Sequence, residues 1–418
     1  MQRKFFSSLF VLFALNLLIK PIWIFYIDRP VQNIVGTTVY GQYFALVNLS
    51  IIFNFLLDIG LTSFLNQQLS SGKRVMDNIF IQAGSLKLLL GLLYAVILMA
   101  IGILTGITNI SWLLLLGANQ FLFSFFLFFR ANITAMQLFS VDAWLSVLDK
   151  LLMIVACGFL IYFPGVFGKI SIYLFLMIQL VAISFSIILT FLVIFYRQKN
   201  ILRHRTRFDM NMLKSAIPYG LIVLVMSAHS RLDGFILERI HGHGDNEAGI
   251  YAQAYRLLDT ANMVGYLAAG FLLPFISKAF YERSTFMNVI IKVRNGLMLF
   301  SVASIGFCFL FPHQIEQILY HMNNNYAAWI ISLTMASLAG YSLVQVYGTL
   351  LTATGNIWLF VKVTIPFLLL NMGLNFIFIP HYGAQACCTI AIFTQTAYGL
   401  VIMYIANKRM LYQLHSSF

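Results

Sequence analysis

The chain has 418 residues, of which 61% are hydrophobic and only 9% are charged, and its formal net charge is +13. Its mean hydropathy of +0.87 lies far above the range of a soluble domain, which needs a polar surface. The composition therefore indicates a membrane protein and argues against a soluble enzyme or a soluble nucleic-acid-binding protein.

Twelve apolar runs are long enough to cross a bilayer as helices, which takes roughly 20 residues each. They cover residues 5–27, 40–66, 79–104, 111–130, 144–163, 171–196, 213–240, 250–277, 288–311, 326–353, 358–379 and 384–405. Membrane strands are not predicted, because barrel strands give short alternating segments. The first run extends to Ile27 without a small-residue cleavage pattern, so we predict a helix there rather than a secretion signal.

A basic linker divides the chain near its middle. The stretch RQKNILRHRTRFD, residues 197–209, separates the sixth predicted span from the seventh and leaves six spans on each side. We therefore predict an N-terminal six-helix lobe at residues 1–200, a cytoplasmic basic linker at residues 201–212 and a C-terminal six-helix lobe at residues 213–418.

A short internal repeat supports the division into halves. The stretch VYGQYFALVNL at residues 39–49 returns in looser form as IYAQAYRLLDT at residues 250–260, near the start of the second helix of each half. The predicted fold class is an all-α polytopic membrane protein with 12 transmembrane helices in two six-helix lobes, related by a pseudo-twofold axis along the membrane normal. Two such lobes would enclose a central cavity that opens alternately to each side of the membrane.

The distribution of basic residues predicts the orientation. With twelve spans both termini lie on one side, and nineteen of the 26 Lys and Arg residues fall on that side, against three on the other and four inside spans. The positive-inside rule therefore places both termini in the cytoplasm. Topology and anionic lipid headgroups account for the positive net charge, so no nucleic-acid partner is predicted.

The cysteine and histidine patterns argue against a metal centre. All four cysteines fall inside predicted spans: Cys157, Cys308, Cys387 and Cys388. The stretch HGHGDNEAG at residues 241–249 allows either a metal site or a periplasmic turn, and we favour the turn because no third and fourth ligands stand in a defined arrangement. No cofactor is predicted, and no P-loop motif indicates ATP hydrolysis.

Seven ionisable residues lie deep inside predicted spans, where each costs roughly 2.5–3.5 kcal/mol to insert. They are Lys20, Asp58, Lys87, Arg231, Asp233, Arg256 and Asp259. Arg256 and Asp259 are three apart on one helix face and could form a structural ion pair. Arg231 and Asp233 are two apart and face different sides, so at least one needs a partner on another helix. Arg256 is one possible partner of Asp233. Asp58 is one possible partner of Arg231.

The deep lysines could line a lumen or reach the membrane surface. Lys20 precedes Pro21, where the helix bends, and it either faces a lumen or snorkels to headgroups about two turns away. Lys87 lies about 12 Å from the cytoplasmic side, near the limit of snorkelling. With four basic and three acidic groups, a lumen lined by all seven would favour an anion such as phosphate or pyrophosphate. Pairing within the set would instead leave no net attraction.

Three stretches resemble motifs of bacterial polysaccharide flippases. The first is GTTVYGQYFALVNLSIIFNFLLDIGLTSFLNQQLS at residues 36–70, with a Tyr-Gly start and a later Asp-x-Gly-Leu. The second is DGFILERIHGHGDNEAGIYAQAYRL at residues 233–257, with a glycine-rich turn and a following Tyr-Arg-Leu. The third is LLLNMGLNFIFIPHYGAQACCTIA at residues 368–391, with Asn-x-x-Leu-Asn and Ile-Pro. The chain is therefore similar to the O-antigen flippase branch of the multidrug/oligosaccharidyl-lipid/polysaccharide (MOP) superfamily.

This resemblance implies an inner-membrane transporter that moves undecaprenyl-pyrophosphate-linked oligosaccharide from the cytoplasmic to the periplasmic leaflet by alternating access. A cationic lumen would hold the pyrophosphate, and its candidate residues are Arg231, Arg256, Lys20 and Lys87. Coupling to a gradient of H+ or Na+ is also implied, and its candidate residues are Asp58, Asp233 and Asp259. Membrane lipids and other glycan-assembly membrane proteins are the further partners implied.

Two other functions fit parts of the sequence. A cation-coupled exporter of organic cations from the same superfamily would need an acidic lumen, and the three deep aspartates are outnumbered by deep basic residues. A membrane enzyme acting on lipid-linked glycans would need catalytic groups on a sizeable periplasmic loop. The longest periplasmic connection, FPHQIEQILYHMNNN at residues 311–325, has one acid, Glu316, so no enzymatic activity is predicted.

Overall fold

The computed structural model describes residues 2–60, 76–136, 138–197, 210–281, 286–321 and 323–415, which are helical almost throughout. The helices are α1 Gln2–Trp23, α2 Arg29–Val35, α3 Thr37–Ile52, α4 Met76–Leu104, α5 Ile110–Ala135, α6 Phe139–Tyr162, α7 Pro164–Phe167, α8 Ile172–Arg197, α9 Met210–Ile240, α10 Gly244–Tyr281, α11 Met287–Leu310, α12 Pro312–Tyr320, α13 Asn325–Ala336, α14 Leu338–Ala353 and α15 Ile357–His415. No strand occurs in these ranges, which confirms the predicted all-α fold class. The predicted linker lies outside the described residues except for its last three positions. The two-lobe symmetry stays a prediction.

Within the described residues, ten helical segments are long and apolar enough to cross a membrane. The last of them, Ile357–Met410, covers both final predicted spans, because α15 bends at Gly383 instead of ending in a loop. Gly383 has φ +53°, a left-handed conformation that costs a residue with a side chain about 1–2 kcal/mol. The chain is therefore a multi-pass membrane protein, as its composition predicted.

The first helical run is longer than predicted. A π-helical segment, Ile24–Asp28, follows α1 directly, and α2 carries the run on to Val35. Such widened turns interrupt an α-helix without ending it, and this one comes three residues after Pro21. Lys20 therefore lies about 22 Å before the end of the run, at 1.5 Å per residue. Both interpretations of Lys20, a lumen-facing side chain and a snorkelling one, stay predictions.

The second predicted span does not continue unbroken to its predicted end. Helix α3 tightens into a 3-10 segment, Phe53–Leu57, and the chain turns at residues 58–60. Ile59 has φ +42°, which is rare for a β-branched residue and marks local backbone strain. The hydroxyl of Ser124 donates to the carbonyl of Leu57 at 3.2 Å, so a carbonyl beside the break is satisfied without water. The rest of that predicted span lies outside the described residues.

One compact unit comprises Met1–Gly36 and Leu46–Leu224. A cluster of buried side chains joins α5, α6 and α8: Phe126, Phe128, Ile133, Leu145 and Ile194. Helix α1 packs along α6, where the amide of Asn16 donates to the hydroxyl of Ser146 at 2.9 Å. Ser146 is buried, so α1 covers this polar face of α6 and shields it from lipid.

The second compact unit comprises Thr37–Ala45 and Val225–Phe418. Helix α14 lies at its centre and packs against α10, α11 and α15. The segment that contains α13 and α14, Asn325–Ala353, is the most buried of the ten candidate spans. Polar side chains inside it bind each other, as where the amide of Gln345 donates to Asn262 at 2.6 Å. Amides of this kind hold helices together within the membrane.

The first part of the first repeat copy, residues 39–45, lies in this second unit and contacts the start of α10, which carries the second copy. The first half of α3 lies directly against the start of α10, because Gly41 has no side chain and the carbonyl of Asp245 occupies the space of a Cβ. The ring of Phe44 lies 6.2 Å from that of Tyr251 and 5.9 Å from that of Tyr255. The repeated residues are therefore packing residues of one helix pair.

Candidate functional site

Arg231 on α9 forms an ion pair with Asp259 on α10. Its Nη2 lies 3.2 Å from Oδ1 and 3.1 Å from Oδ2 of the carboxylate. Within the described part of the chain, Nη2 is the only nitrogen of this guanidinium that makes a hydrogen bond. The guanidinium also lies 4.8 Å from the centroid of the Tyr255 ring, a cation–π contact. The side chains of Arg231 and Asp259 are 19% and 23% exposed, so this ion pair is only partly buried.

Arg256, three residues before Asp259, donates to Tyr40. Its Nε and Nη2 lie 3.2 Å and 3.0 Å from the Tyr40 hydroxyl oxygen. Tyr40 is fully buried and belongs to the first copy of the repeat, so a fixed side chain orients this guanidinium. The sequence suggested that Arg256 and Asp259 pair on one helix, whereas the structure shows Asp259 bound to Arg231 on the neighbouring helix.

We call Arg231, Arg256 and Asp259, with Tyr40 and Tyr255 beneath them, the arginine site. Its three charged groups carry a net charge of +1, and the two arginines lie within electrostatic range of each other. A guanidinium presents parallel N–H donors that match the oxygens of phosphate. The arrangement is therefore suited to binding an anionic group.

A second polar cluster, the amide network, lies on another face of α9. The Nδ2 of Asn375 donates to Oδ1 of Asp233 at 2.7 Å and to Oδ1 of Asn371 at 3.0 Å. The Nδ2 of Asn371 donates to the hydroxyl of Thr394 at 3.3 Å. All four side chains are at most 3% exposed, and the Oδ1 of Asn375 has no hydrogen-bond partner within the described residues. Carboxylate and amide oxygens collected in a dry interior suit a proton or a hard cation.

The helical repeat explains why the two clusters are separate. Arg231 and Asp233 differ by two positions, which turns them about 200° apart on α9. Arg231 therefore faces α10, and Asp233 faces α15. The sequence left the partners of Asp233 and Arg231 open. In the structure, Asp233 accepts a hydrogen bond from Asn375, and Arg231 pairs with Asp259.

His229 lies one turn before Asp233 on α9 and was not predicted from the sequence. Its Nδ1 lies 3.3 Å from Nε2 of Gln395, the neighbour of Thr394 in α15. His229 is 3% exposed, and its Nε2 has no hydrogen-bond partner in the part of the chain that the structure describes. The spacing of four residues between His229 and Asp233 was the available signal, since it puts both side chains on one face.

Helix α10 begins earlier than predicted, so residues 244–249 form its first turns. Acidic side chains stabilise this helix start through the helix dipole. The Oε2 of Glu247 accepts a hydrogen bond from the Tyr326 hydroxyl at 2.7 Å and from the backbone N–H of Ala384 at 2.8 Å, next to the bend at Gly383. Within the described ranges, no group of three or more His, Cys, Asp or Glu side chains could hold a metal ion. The stretch therefore fixes the ends of helices.

Two of the predicted deep charges pair with each other in the first unit. The Nζ of Lys87 lies 2.6 Å from Oδ1 of Asp58 and 5.7 Å from the centroid of the Phe128 ring. The side chain of Lys87 is 1% exposed, whereas that of Asp58 is 30% exposed. Lys87 is therefore enclosed with its counter-charge in this conformation.

A polar stripe on α6 was also not predicted from the sequence. Asp142, Ser146 and Asp149 repeat at positions i, i+4 and i+7 and are all buried, which is the spacing of one helix face. Lys150, assigned from the sequence to the cytoplasmic side, lies eleven residues into α6, and its Nζ is 4.6 Å from the centroid of the Trp23 ring. Lys20 lies within electrostatic range of Asp149 and Lys150. The spacing within an otherwise apolar helix was the available signal.

The long apolar helices define the class of protein, a multi-pass membrane protein. The fold matches an inward-facing multidrug resistance transporter of the MATE family in the MOP superfamily, with a TM-score of 0.74, 16% identity and coverage of 94% of this chain and 95% of that chain. It matches the outward-facing conformation of such a transporter with a TM-score of 0.72, 16% identity and coverage of 96% and 95%. The same values describe the match to a MOP superfamily transporter from Pyrococcus furiosus, for which a binding pocket of reverse polarity suggests a different function. At this identity the matches establish the fold alone.

The sequence profile of the polysaccharide biosynthesis protein family matches residues 5–280, about two thirds of the chain. The chain therefore belongs to this family, and its fold is that of MOP superfamily transporters. The family resemblance that the three motifs indicated is confirmed. No curated protein matches the chain significantly.

Proposed function

We propose that the protein is a flippase that moves undecaprenyl-pyrophosphate-linked oligosaccharide from the cytoplasmic to the periplasmic leaflet by alternating access. The observation that carries this proposal is the arginine site, which has two guanidiniums and one carboxylate and is partly exposed. The pyrophosphate needs cationic donors when it leaves water, because a phosphate without partners is far too costly to bury. Arg231 and Arg256 would bind it through their guanidinium N–H donors.

The alternative cargo, an organic cation, needs carboxylates free to receive it. Asp58 is paired with Lys87, and Asp259 is paired with Arg231. Asp233 is buried and binds Asn375. All three candidate carboxylates are thus engaged, and the surplus charge of the arginine site is positive. This balance favours an anionic cargo.

Coupling to an ion gradient would use the amide network. Asp233 and Asn375 place oxygen atoms in a site closed to water, and the free Oδ1 of Asn375 offers a further acceptor. A proton or Na+ bound there would neutralise the buried carboxylate and so favour one conformation over another. Asp58 and Asp259 are paired with basic side chains, which makes Asp233 the strongest of the three candidates.

The remaining parts of the proposal concern location. The bias of Lys and Arg residues supports cytoplasmic termini, and a lipid-linked glycan made in the cytoplasm requires a transporter in the inner membrane. Other membrane proteins of glycan assembly would supply and consume the cargo.

A deletion strain tests the proposed cargo. Glycan-charged carrier lipid is expected to accumulate in the cytoplasmic leaflet of such a strain, and the wild-type gene on a plasmid is expected to clear it. Arg231→Ala and Arg256→Ala should fail to clear it. Arg294→Ala is a matched control, because Arg294 also donates to a tyrosine hydroxyl, that of Tyr347 at 3.4 Å, and within the described residues none of its hydrogen bonds goes to the arginine site. Full rescue by both site variants would remove the proposed site.

A further inference from the structure

Two arginine–aspartate pairs of this protein differ in their geometry. In the first unit, Nε of Arg130 lies 2.7 Å from Oδ1 of Asp142, and Nη2 lies 3.1 Å from Oδ2. Two nitrogens thus meet two oxygens in the fork arrangement, which is the strong form of this interaction. The Asp142 side chain is only 7% exposed. This pair has the geometry of a permanent structural contact.

The pair of Arg231 and Asp259 has the opposite character. A single nitrogen, Nη2, is shared between both carboxylate oxygens at 3.2 Å and 3.1 Å, which is longer than the 2.7–2.9 Å typical of charge-assisted hydrogen bonds. The Asp259 side chain is 23% exposed. The remaining donors of Arg231, Nε and Nη1, make no hydrogen bond to any described residue. The carboxylate therefore holds this guanidinium weakly and leaves most of the fork available.

We propose that Asp259 is a displaceable counter-ion, which neutralises Arg231 until a pyrophosphate group replaces it. This inference rests on the proposed function, since it concerns the same arginine site. Carboxylate and phosphate oxygens accept the same guanidinium donors, and a pyrophosphate brings more charge and more oxygens than one carboxylate. When the cargo leaves, Asp259 binds Arg231 again and so assists release.

The counter-ion also makes the site selective. A bilayer presents a large excess of phospholipids whose headgroups carry one negative charge, and an open cationic site would fill with them. A singly charged phosphodiester and the Asp259 carboxylate carry the same charge, so the phosphodiester has little advantage in displacing Asp259 from Arg231. A pyrophosphate carries more negative charge and displaces it. Asp259 thus acts as a specificity-determining residue by penalising the wrong ligand.

Binding of farnesyl pyrophosphate to the full-length protein in nanodiscs of phosphatidylcholine tests this role. Asp259→Asn should tighten binding about five- to tenfold, the effect of removing one partly exposed competing charge. It should also let phosphatidylglycerol compete, which the wild type resists. Asp259→Glu should restore both wild-type properties. Asp142→Asn is the control, because it removes the same charge from the structural pair of Arg130 and Asp142. A thermal melt first establishes that this variant is folded. Its affinity for farnesyl pyrophosphate should then stay within about twofold of the wild type.

The outcomes separate this inference from the proposed function. In an Arg231→Gln background, Asp259→Asn should have no further effect, because the residue acts through that guanidinium. In proteoliposomes Asp259→Asn should lower KM and also lower the maximal transport rate, since release slows. If the wild type binds in an Arg231-dependent way but Asp259→Asn binds no tighter, the counter-ion role is wrong and the proposed function stands. If the wild type does not bind the probe and Arg231→Gln changes nothing, both are overturned.

Discussion

The ion pair of Lys87 and Asp58 makes a quantitative prediction about stability, because its two partners are buried unequally. Replacing Asp58 by Leu leaves the ammonium of Lys87, 1% exposed, without its counter-charge. Breaking a buried pair in this way costs about 3–5 kcal/mol. Replacing Lys87 by Met instead leaves a carboxylate that is 30% exposed, so the expected cost is smaller, about 1 kcal/mol. The double variant Lys87→Met/Asp58→Leu has no orphaned charge and should melt close to the wild type.

Thermal unfolding of the purified proteins, monitored by tryptophan fluorescence, ranks the stabilities of the wild type, the two single variants and the double variant. A cooperative unit of about 200 residues shifts by about 2–4 °C per kcal/mol, so a cost of about 3–5 kcal/mol should make Asp58→Leu melt roughly 6–20 °C below the wild type. Lys87→Met should lie between Asp58→Leu and the double variant. If Asp58→Leu melts no lower than Lys87→Met, the unequal burial does not control the energetics and the reasoning is refuted.

Three further outcomes are expected. Gly41→Ala should destabilise the protein by several kcal/mol and lower its yield, because the carbonyl of Asp245 occupies the position of the new Cβ. Gly373→Ala is the control: it has open space around it and should be neutral or slightly stabilising in the same melting assay. The four cysteines are all buried and free, so a membrane-permeant maleimide should label the native protein slowly and label all four after denaturation; rapid native labelling would contradict their burial. Asp233→Asn should abolish the dependence of transport on the ion gradient while leaving binding of farnesyl pyrophosphate within about twofold, and a variant that keeps its gradient dependence would remove Asp233 from coupling.

The sequence was sufficient for the all-α fold class and for a multi-pass membrane protein, because apolar runs of about 20 residues have few structural alternatives in a bilayer. It was less informative about where helices end. The run beyond Trp23 continues through a π-helical segment, and the chain turns at residues 58–60 within an apolar stretch. Neither the π-helical segment nor the turn changes the hydropathy of the sequence, so a prediction based on hydropathy does not detect them.

The sequence indicated seven deep charges, but it did not indicate which of them pair in the structure. Helical spacing indicates neighbours on one helix, and it suggested Arg256 for Asp259. The actual partner, Arg231, comes from another helix, and such contacts depend on how helices pack. His229 was missed because a single histidine in an apolar run carries no signal without its neighbour four residues later, Asp233.

Transport in proteoliposomes tests the central claim, that the arginine site serves a lipid-linked pyrophosphate, most directly. The purified protein is reconstituted with a polyprenyl-pyrophosphate-linked oligosaccharide that carries a fluorophore on its glycan, and a membrane-impermeant quencher reports the leaflet. We expect the protein to move the labelled glycan across the bilayer, Arg231→Ala and Arg256→Ala to slow this movement at least tenfold, and ethidium not to be transported. Accumulation of ethidium by the same vesicles, with the labelled glycan confined to its original leaflet, would contradict the account.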